Sequence, residues 1–135
     1  MMRISTISRP RMQFTDSHAW IDLNGSVGFV GVSAHRLQGI EKILHVKWCC
    51  RKGTIEQGVL VAEVTTSNAV IPVYAPVACR FLGANHQVEN NPDLMLQSPH
   101  DKGWLFFVSP LKAPGQVKLL SPGDYQKLVQ EKSRG

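Results

Sequence analysis

Apolar and polar residues alternate over short runs along this chain, the period expected of strands with one face in a core. The first clear run is Ala19-Trp20-Ile21-Asp22-Leu23, and Asn24-Gly25 after it is a strong hairpin signal. Val27 to Val32 reads as the returning strand. Ser33 then caps a short predicted helix over residues 34–38, which Gly39 stops. Ile43 to Trp48 is the next strand, and Lys52-Gly53 and Gln57-Gly58 mark two turns. Val59 to Val64 is apolar enough for a buried strand, and Thr65-Thr66-Ser67-Asn68 is polar and fits a hairpin tip. Val70 to Tyr74 runs back, with Pro72 requiring an edge or bulge position.

Ala78 to Leu82 and Trp104 to Val108 complete the strand pattern, with a loop and a helical turn between them at Asn90 to Leu94. Ser121-Pro122 starts a helix, with Ser as N-cap and Pro at the first position. Tyr125, Leu128 and Val129 follow the i, i+3, i+4 spacing of a buried stripe. At least seven short strands with a small and a C-terminal helix predict a mostly β fold, a sandwich or flattened barrel. The expected core includes Trp20, Val30, Val32, Leu44, Val46, Val61, Val77, Trp104 and Phe106. Residues 1–13 read as a flexible basic tail, 14–131 as one domain with its C-terminal helix at about 122–131, and 132–135 as a second tail.

Composition narrows this picture. At 135 residues and 43% hydrophobic content, the chain can bury a core without disulfides or metal. The longest uncharged run, Val64 to Cys79, contains Pro72, Pro76 and the polar tip, so no membrane span is expected. The net charge is +5, but the cations are dispersed, so a mildly basic surface is favoured over a nucleic-acid interface. Three cysteines without an apolar leader suggest a reducing, cytoplasmic setting. Arg3, Arg9 and Arg11 with no acid nearby leave a mitochondrial transit-peptide remnant as the alternative.

The candidate chemistry is sparse. His18, His35, His45, His86 and His100 show no metal-ligand spacing. Cys49-Cys50 is a vicinal pair whose eight-membered ring strains the peptide if bridged, and reads as two strand-end thiols. Ser67 has no base placed by any motif, and the three tryptophans sit in strand-like segments suited to a core. No catalytic residue and no metal site is therefore assigned, and the chain is read as not an enzyme.

Five segments, in order and at matching spacing, resemble the glycine cleavage system H protein family. They are His18-Ala19-Trp20, Val30-Gly31-Val32-Ser33, Tyr74-Ala75-Pro76-Val77, Asn90-Asn91-Pro92-Asp93-Leu94 and Lys102-Gly103-Trp104-Leu105. The resemblance runs from about Phe14 to Val129, without a gap between Gly31 and Pro76. It implies a lipoyl-domain-like barrel-sandwich hybrid. It also implies a carrier whose lipoyl-lysine, at a hairpin tip, takes an aminomethyl group from a PLP-dependent decarboxylase to a tetrahydrofolate-dependent transferase.

One departure changes that implication. Against the family's E-S-V-K-A tip, this chain has Thr65-Thr66-Ser67-Asn68-Ala69, so Asn68 stands at the lysine. The acids three residues before and four after are Thr65 and Pro72. The other lysines considered, Lys47, Lys52 and Lys102, fall away from the predicted tip. H proteins are typically acidic, whereas this chain is basic, which alters docking potential. The expectation is an H-like protein without lipoyl cofactor that works by binding, as scaffold or regulator. Its partners would be glycine cleavage components or lipoate-handling enzymes. The alternative is a functional carrier with lipoyl on another lysine.

Overall fold

The computed structural model describes residues 12–50, 53–111 and 119–134, with side chains through residue 130. The sequence-assigned tail over residues 1–11 and Lys52 of the expected Lys52-Gly53 turn lie outside the described residues. In chain order the strands are β1 (Met12–Phe14), β2 (Ala19–Asn24), β3 (Val27–Val32), β4 (Ile43–Trp48), β5 (Gly53–Ile55), β6 (Leu60–Thr66), β7 (Val70–Tyr74) and β8 (Cys79–Ala84). Two short helices follow, α1 (His86–Asn90) and α2 (Leu94–Gln97), then β9 (Phe106–Pro110) and α3 (Pro122–Arg134). The strands form a six-stranded sheet in the order β1-β2-β3-β9-β8-β5 and a three-stranded sheet in the order β4-β6-β7.

The main core lies between the two sheets. It contains Ile21, Val30, Val61, Val64, Ile71, Phe106 and Val108, all at most 2% exposed. A second core lies where α3 covers β1 and β2, and contains Met12, Phe14, Trp20, Tyr125 and Val129. Strand β2 serves both. Its residues Ala19 to Asp22 are all buried, because Ile21 belongs to one core and Trp20 to the other. That is why strict alternation breaks there.

Local chemistry sets the turns. The β2–β3 hairpin closes with Asn24 opposite Val27, and of its two turn residues only Gly25 has positive φ, at 66°. A left-handed first turn residue is the requirement that glycine meets in a II′ hairpin. Gly31 is a matter of space. A Cβ there would stand 2.6 Å from the Trp20 ring, so only glycine lets the indole lie on the neighbouring strand. The Trp20 Nε1–H donates to Pro99 O at 3.0 Å, which satisfies the one polar atom of that buried ring.

Several expectations are corrected. Residues 34–39 form successive hydrogen-bonded turns, not the short helix expected at 34–38. The Leu37 amide is shared between Ser33 O and Ala34 O at 3.3 and 3.2 Å, and Gly39 at φ 82° turns the chain out before a helical ladder builds. Strand β1 takes in Met12 and Gln13, which the sequence assigns to the tail; Met12 is fully buried beneath α3. The last helix runs on to Arg134, past the expected end at 131. Helix α1 was not expected; its start is capped by the Asn85 side chain, which accepts from Gln87 N at 3.0 Å. Among the core residues, Leu44 is 50% exposed, because the register of β4 against β6 shifts between Ile43 and His45. Trp104 is only half-buried, at the sheet face beside Phe29 and Phe107.

These burial differences set a stability contrast. Phe106→Ala is expected to cost about 3–5 kcal/mol, the range for emptying a fully buried aromatic site. Leu44→Ala is expected to stay within about 0.5 kcal/mol. Urea unfolding of both variants measures the contrast, and equal midpoints would remove Phe106 from the centre of the core.

Candidate functional site

The residues that the sequence singles out at 65–69 come together at the β6–β7 hairpin. Thr65 pairs with Val70 across the strands, leaving Thr66 to Ala69 to turn the chain. Ser67 and Asn68 are exposed, Ala69 is half-buried, and Thr66 is 5% exposed. The buried hydroxyl of Thr66 organises the turn. Its Oγ1 accepts from the amides of Ala69 at 2.9 Å and Asn68 at 3.3 Å. It donates to Ala69 O at 2.8 Å, with Asn68 Oδ1 a more distant acceptor at 3.3 Å. The Thr66 amide closes the hairpin by donating to Ala69 O at 2.8 Å. Strand β7 forms one edge of its sheet, so Pro72 opposite Glu63 is tolerated, as the sequence requires.

A neighbouring segment braces the tip. The Ser67 amide donates to Lys42 O at 3.0 Å, just before β4 begins. The backbone of Lys42 therefore stands against the tip, a contact between non-adjacent segments that carries no local signal in the sequence. Its side chain is 64% exposed and its Nζ lies 3.6 Å from Asp93 Oδ2. Asp93 Oδ1 in turn accepts from Ile43 N at 2.9 Å. Exposed Leu44 and Val70 flank the same end of the sheet.

The remaining candidates do not converge on the tip. Cys49 is exposed, Cys50 half-buried and Cys79 buried, and all three are free thiols. Burial, with a smaller contribution from Cys50, pushes the Cys79 thiol up to about 11, so it is neither nucleophilic nor a ready ligand near neutral pH. No group of three or more His, Cys, Asp or Glu side chains able to hold a metal occurs among the described residues.

A second polar cluster ties α3 to the large sheet. The Tyr125 hydroxyl lies 2.7 Å from both His18 Nδ1 and Ser33 Oγ. His18 reaches it from a left-handed backbone position, φ 73°, at the turn between β1 and β2. Phe14 stacks on Tyr125 with ring centres 4.4 Å apart. His100 packs edge-on against Phe14 and Trp20, and its Nε2 accepts from Ala34 N at 2.9 Å. Burial lowers its pKa to about 4. The folded chain therefore keeps this ring neutral, which the accepting Nε2 requires. The sequence names His18, His35 and His100 but gives no means of seeing that they gather around α3.

A family model described as glycine cleavage H-protein matches residues 12–132. The chain is similar to the glycine cleavage system H protein of Methylacidiphilum infernorum, 28% identical over 88% of this chain and 93% of that protein. It is similar to the one from Thermosynechococcus vestitus, 29% identical over 93% of this chain and 98% of that protein. Among solved structures, an H protein from Mycobacterium marinum aligns with a TM-score of 0.79 at 21% identity, over 90% of this chain and 98% of that one. That likeness establishes the shared fold, a flattened barrel-sandwich with a C-terminal helix.

His100 sets a pH expectation. Its folded pKa lies below the ordinary value of 6.5, so acid favours the unfolded chain, which takes up the proton first. Its contribution is intact above pH 6.5 and is lost as pH falls towards about 4. The loss should reach about 3 kcal/mol at the low end. Urea unfolding at a series of pH values, wild type beside His100→Gln, measures it; parallel profiles would show that His100 titrates normally in the fold.

Proposed function

This chain belongs to the glycine cleavage H-protein family, and from that premise we propose that it acts by binding, without a lipoyl arm. A single observation carries the reading: the braced, exposed hairpin tip presents Asn68 where the family resemblance places the acceptor lysine. Amide formation needs an amine with a free lone pair. The carboxamide nitrogen of Asn68 has its lone pair delocalised into the carbonyl, so it does not attack an activated acyl group. The residues of the tip therefore do not fit a lipoyl group. Thr65 and Pro72 support the same reading, because they leave uncharged the two positions that the resemblance makes acidic.

What remains is a binding surface on an intact H-protein fold. The proposed working unit runs from Met12, buried in the core beneath α3, to the end of that helix at Arg134. No step of catalysis is assigned to it, and its partners are taken to be glycine cleavage components or lipoate-handling enzymes, met in the cytoplasm. The net charge of +5 favours a partner face richer in carboxylates than an acidic H protein would meet.

Lys42 supports a second reading, a carrier with lipoyl on another lysine. Its amine is exposed and its carbonyl holds the tip, so it stands within the region a lipoate-attaching enzyme would approach. It lies outside the turn, however, and its Nζ is turned to the Asp93 carboxylate, 3.6 Å from Oδ2.

Intact-mass measurement after incubation with lipoate ligase, ATP and lipoate separates the two. The wild-type chain is expected to keep its mass. A gain of one lipoyl unit would overturn the arm-free reading, and peptide mapping to Lys42 would establish the second.

A further inference from the structure

The tip has lost its amine but not the turn that would present one, and this distinction leads to an inference about Thr66. It rests on the reading of Asn68 given above. We infer that Thr66 is the positioning residue of the tip: its hydroxyl fixes residues 67–69 in a presenting conformation, which stays competent for acylation once an amine is placed at position 68.

The hydrogen bonds carry the argument. A threonine hydroxyl has one proton to give and two lone pairs to accept with. The Thr66 oxygen receives the Ala69 and Asn68 amides, and its proton has a near acceptor in Ala69 O at 2.8 Å and a far one in Asn68 Oδ1 at 3.3 Å. The shorter bond takes the proton, so the Asn68 carboxamide is not needed to close the turn. Both amides of the turn and the near carbonyl are bound through Thr66 alone, and Ser67 is held from outside by Lys42 O. Replacing the side chain at position 68 therefore removes nothing that sets the backbone. Thr66 is 5% exposed while Ser67 and Asn68 are exposed, so the anchor is inside the sheet end and the presented group is outside. Valine at 66 fills the same space without a hydroxyl and leaves both amides without that acceptor, whereas serine keeps it.

The test places the amine and then varies the anchor. Full-length Asn68→Lys, Asn68→Lys/Thr66→Val and Asn68→Lys/Thr66→Ser chains are incubated with lipoate ligase, ATP and lipoate, and followed by intact mass. The ligase-bound lipoyl adenylate is attacked by the introduced amine, an amide bond forms, and AMP and a proton leave. Asn68→Lys should gain one lipoyl unit. The Thr66→Val double variant should be acylated roughly tenfold more slowly, as loss of a hydrogen-bonded anchor predicts, and Thr66→Ser should restore the rate. Equal rates with and without the hydroxyl would overturn the role of Thr66, and so would an unmodified Asn68→Lys chain. Neither result touches the arm-free reading, which falls only if the wild-type chain is acylated. Amide exchange in the wild type needs no variant and covers the case of a double variant that fails to fold. The Ala69 amide should be protected, and exchange there at the rate of an open peptide would also overturn the inference.

Discussion

The indole of Trp20 lying across Gly31 is the contact on which the rest of the molecule depends. It is possible only because position 31 has no Cβ, which would stand 2.6 Å from the ring. With the indole there, β2 has one face for the sheet-on-sheet core, through Ile21, and one for the core beneath α3, through Trp20. The indole N–H reaches Pro99 O, so the same side chain fixes the loop that carries His100. His100, kept neutral by burial, then holds the chain at Ala34, and Ser33 beside it binds Tyr125 of α3. One aromatic contact between neighbouring strands thus sets where the helix sits and where the segment between β3 and β4 begins. Trp20, Ser33 and Tyr125 each find a partner in this chain of contacts, whereas Nδ1 of His100 is buried without one, so the ring is held through Nε2 alone.

Much of the fold was legible because it is written in periods and turn residues. The hairpin of β2 and β3, the strands at 43–48 and 70–74 and the Ser121-capped helix follow from alternation, from Gly25 and from a capping hydroxyl, each of which acts within a few residues. The failures share a cause in tertiary contact. Strand β1 is three residues long and is identified by its pairing with β2, not by its own pattern. Residues 34–39 have the helical start expected, with the Ser33 hydroxyl accepting from the Arg36 amide as an N-cap does, but the turns end at Gly39 before a helix builds. Leu44 looks like a strand interior residue and is turned outward by a register shift that only the partner strand reveals.

The site was legible in a different way. The resemblance places Asn68, and the polar run from Thr65 to Asn68 between two apolar strands fits a tip whatever the family. What the sequence withholds is the wiring. Nothing local says that Thr66 faces inward as an anchor or that Ser67 is tied to Lys42. These depend on β4 joining β6 in a small sheet, a pairing between segments separated by turns and by β5.

Separating the anchor from the presented group lets the residue at position 68 vary without a cost to the turn. Asn68 contributes its exposed side chain to the tip and only a distant contact to the turn, so selection on stability does not hold that position to one residue type. Thr66 is the reverse: buried, saturated with hydrogen bonds, and placed so that loss of its hydroxyl leaves amides without partners. A carrier needs both a presented amine and a held turn, whereas a protein that works by surface recognition needs only the second. A loosened turn would lose conformational entropy on binding that a held one has already given up, so the anchor matters to a docking hairpin as much as to an acylated one. The hydroxyl of Thr66 thus serves the proposed binding role through the turn it holds, with or without an amine at position 68.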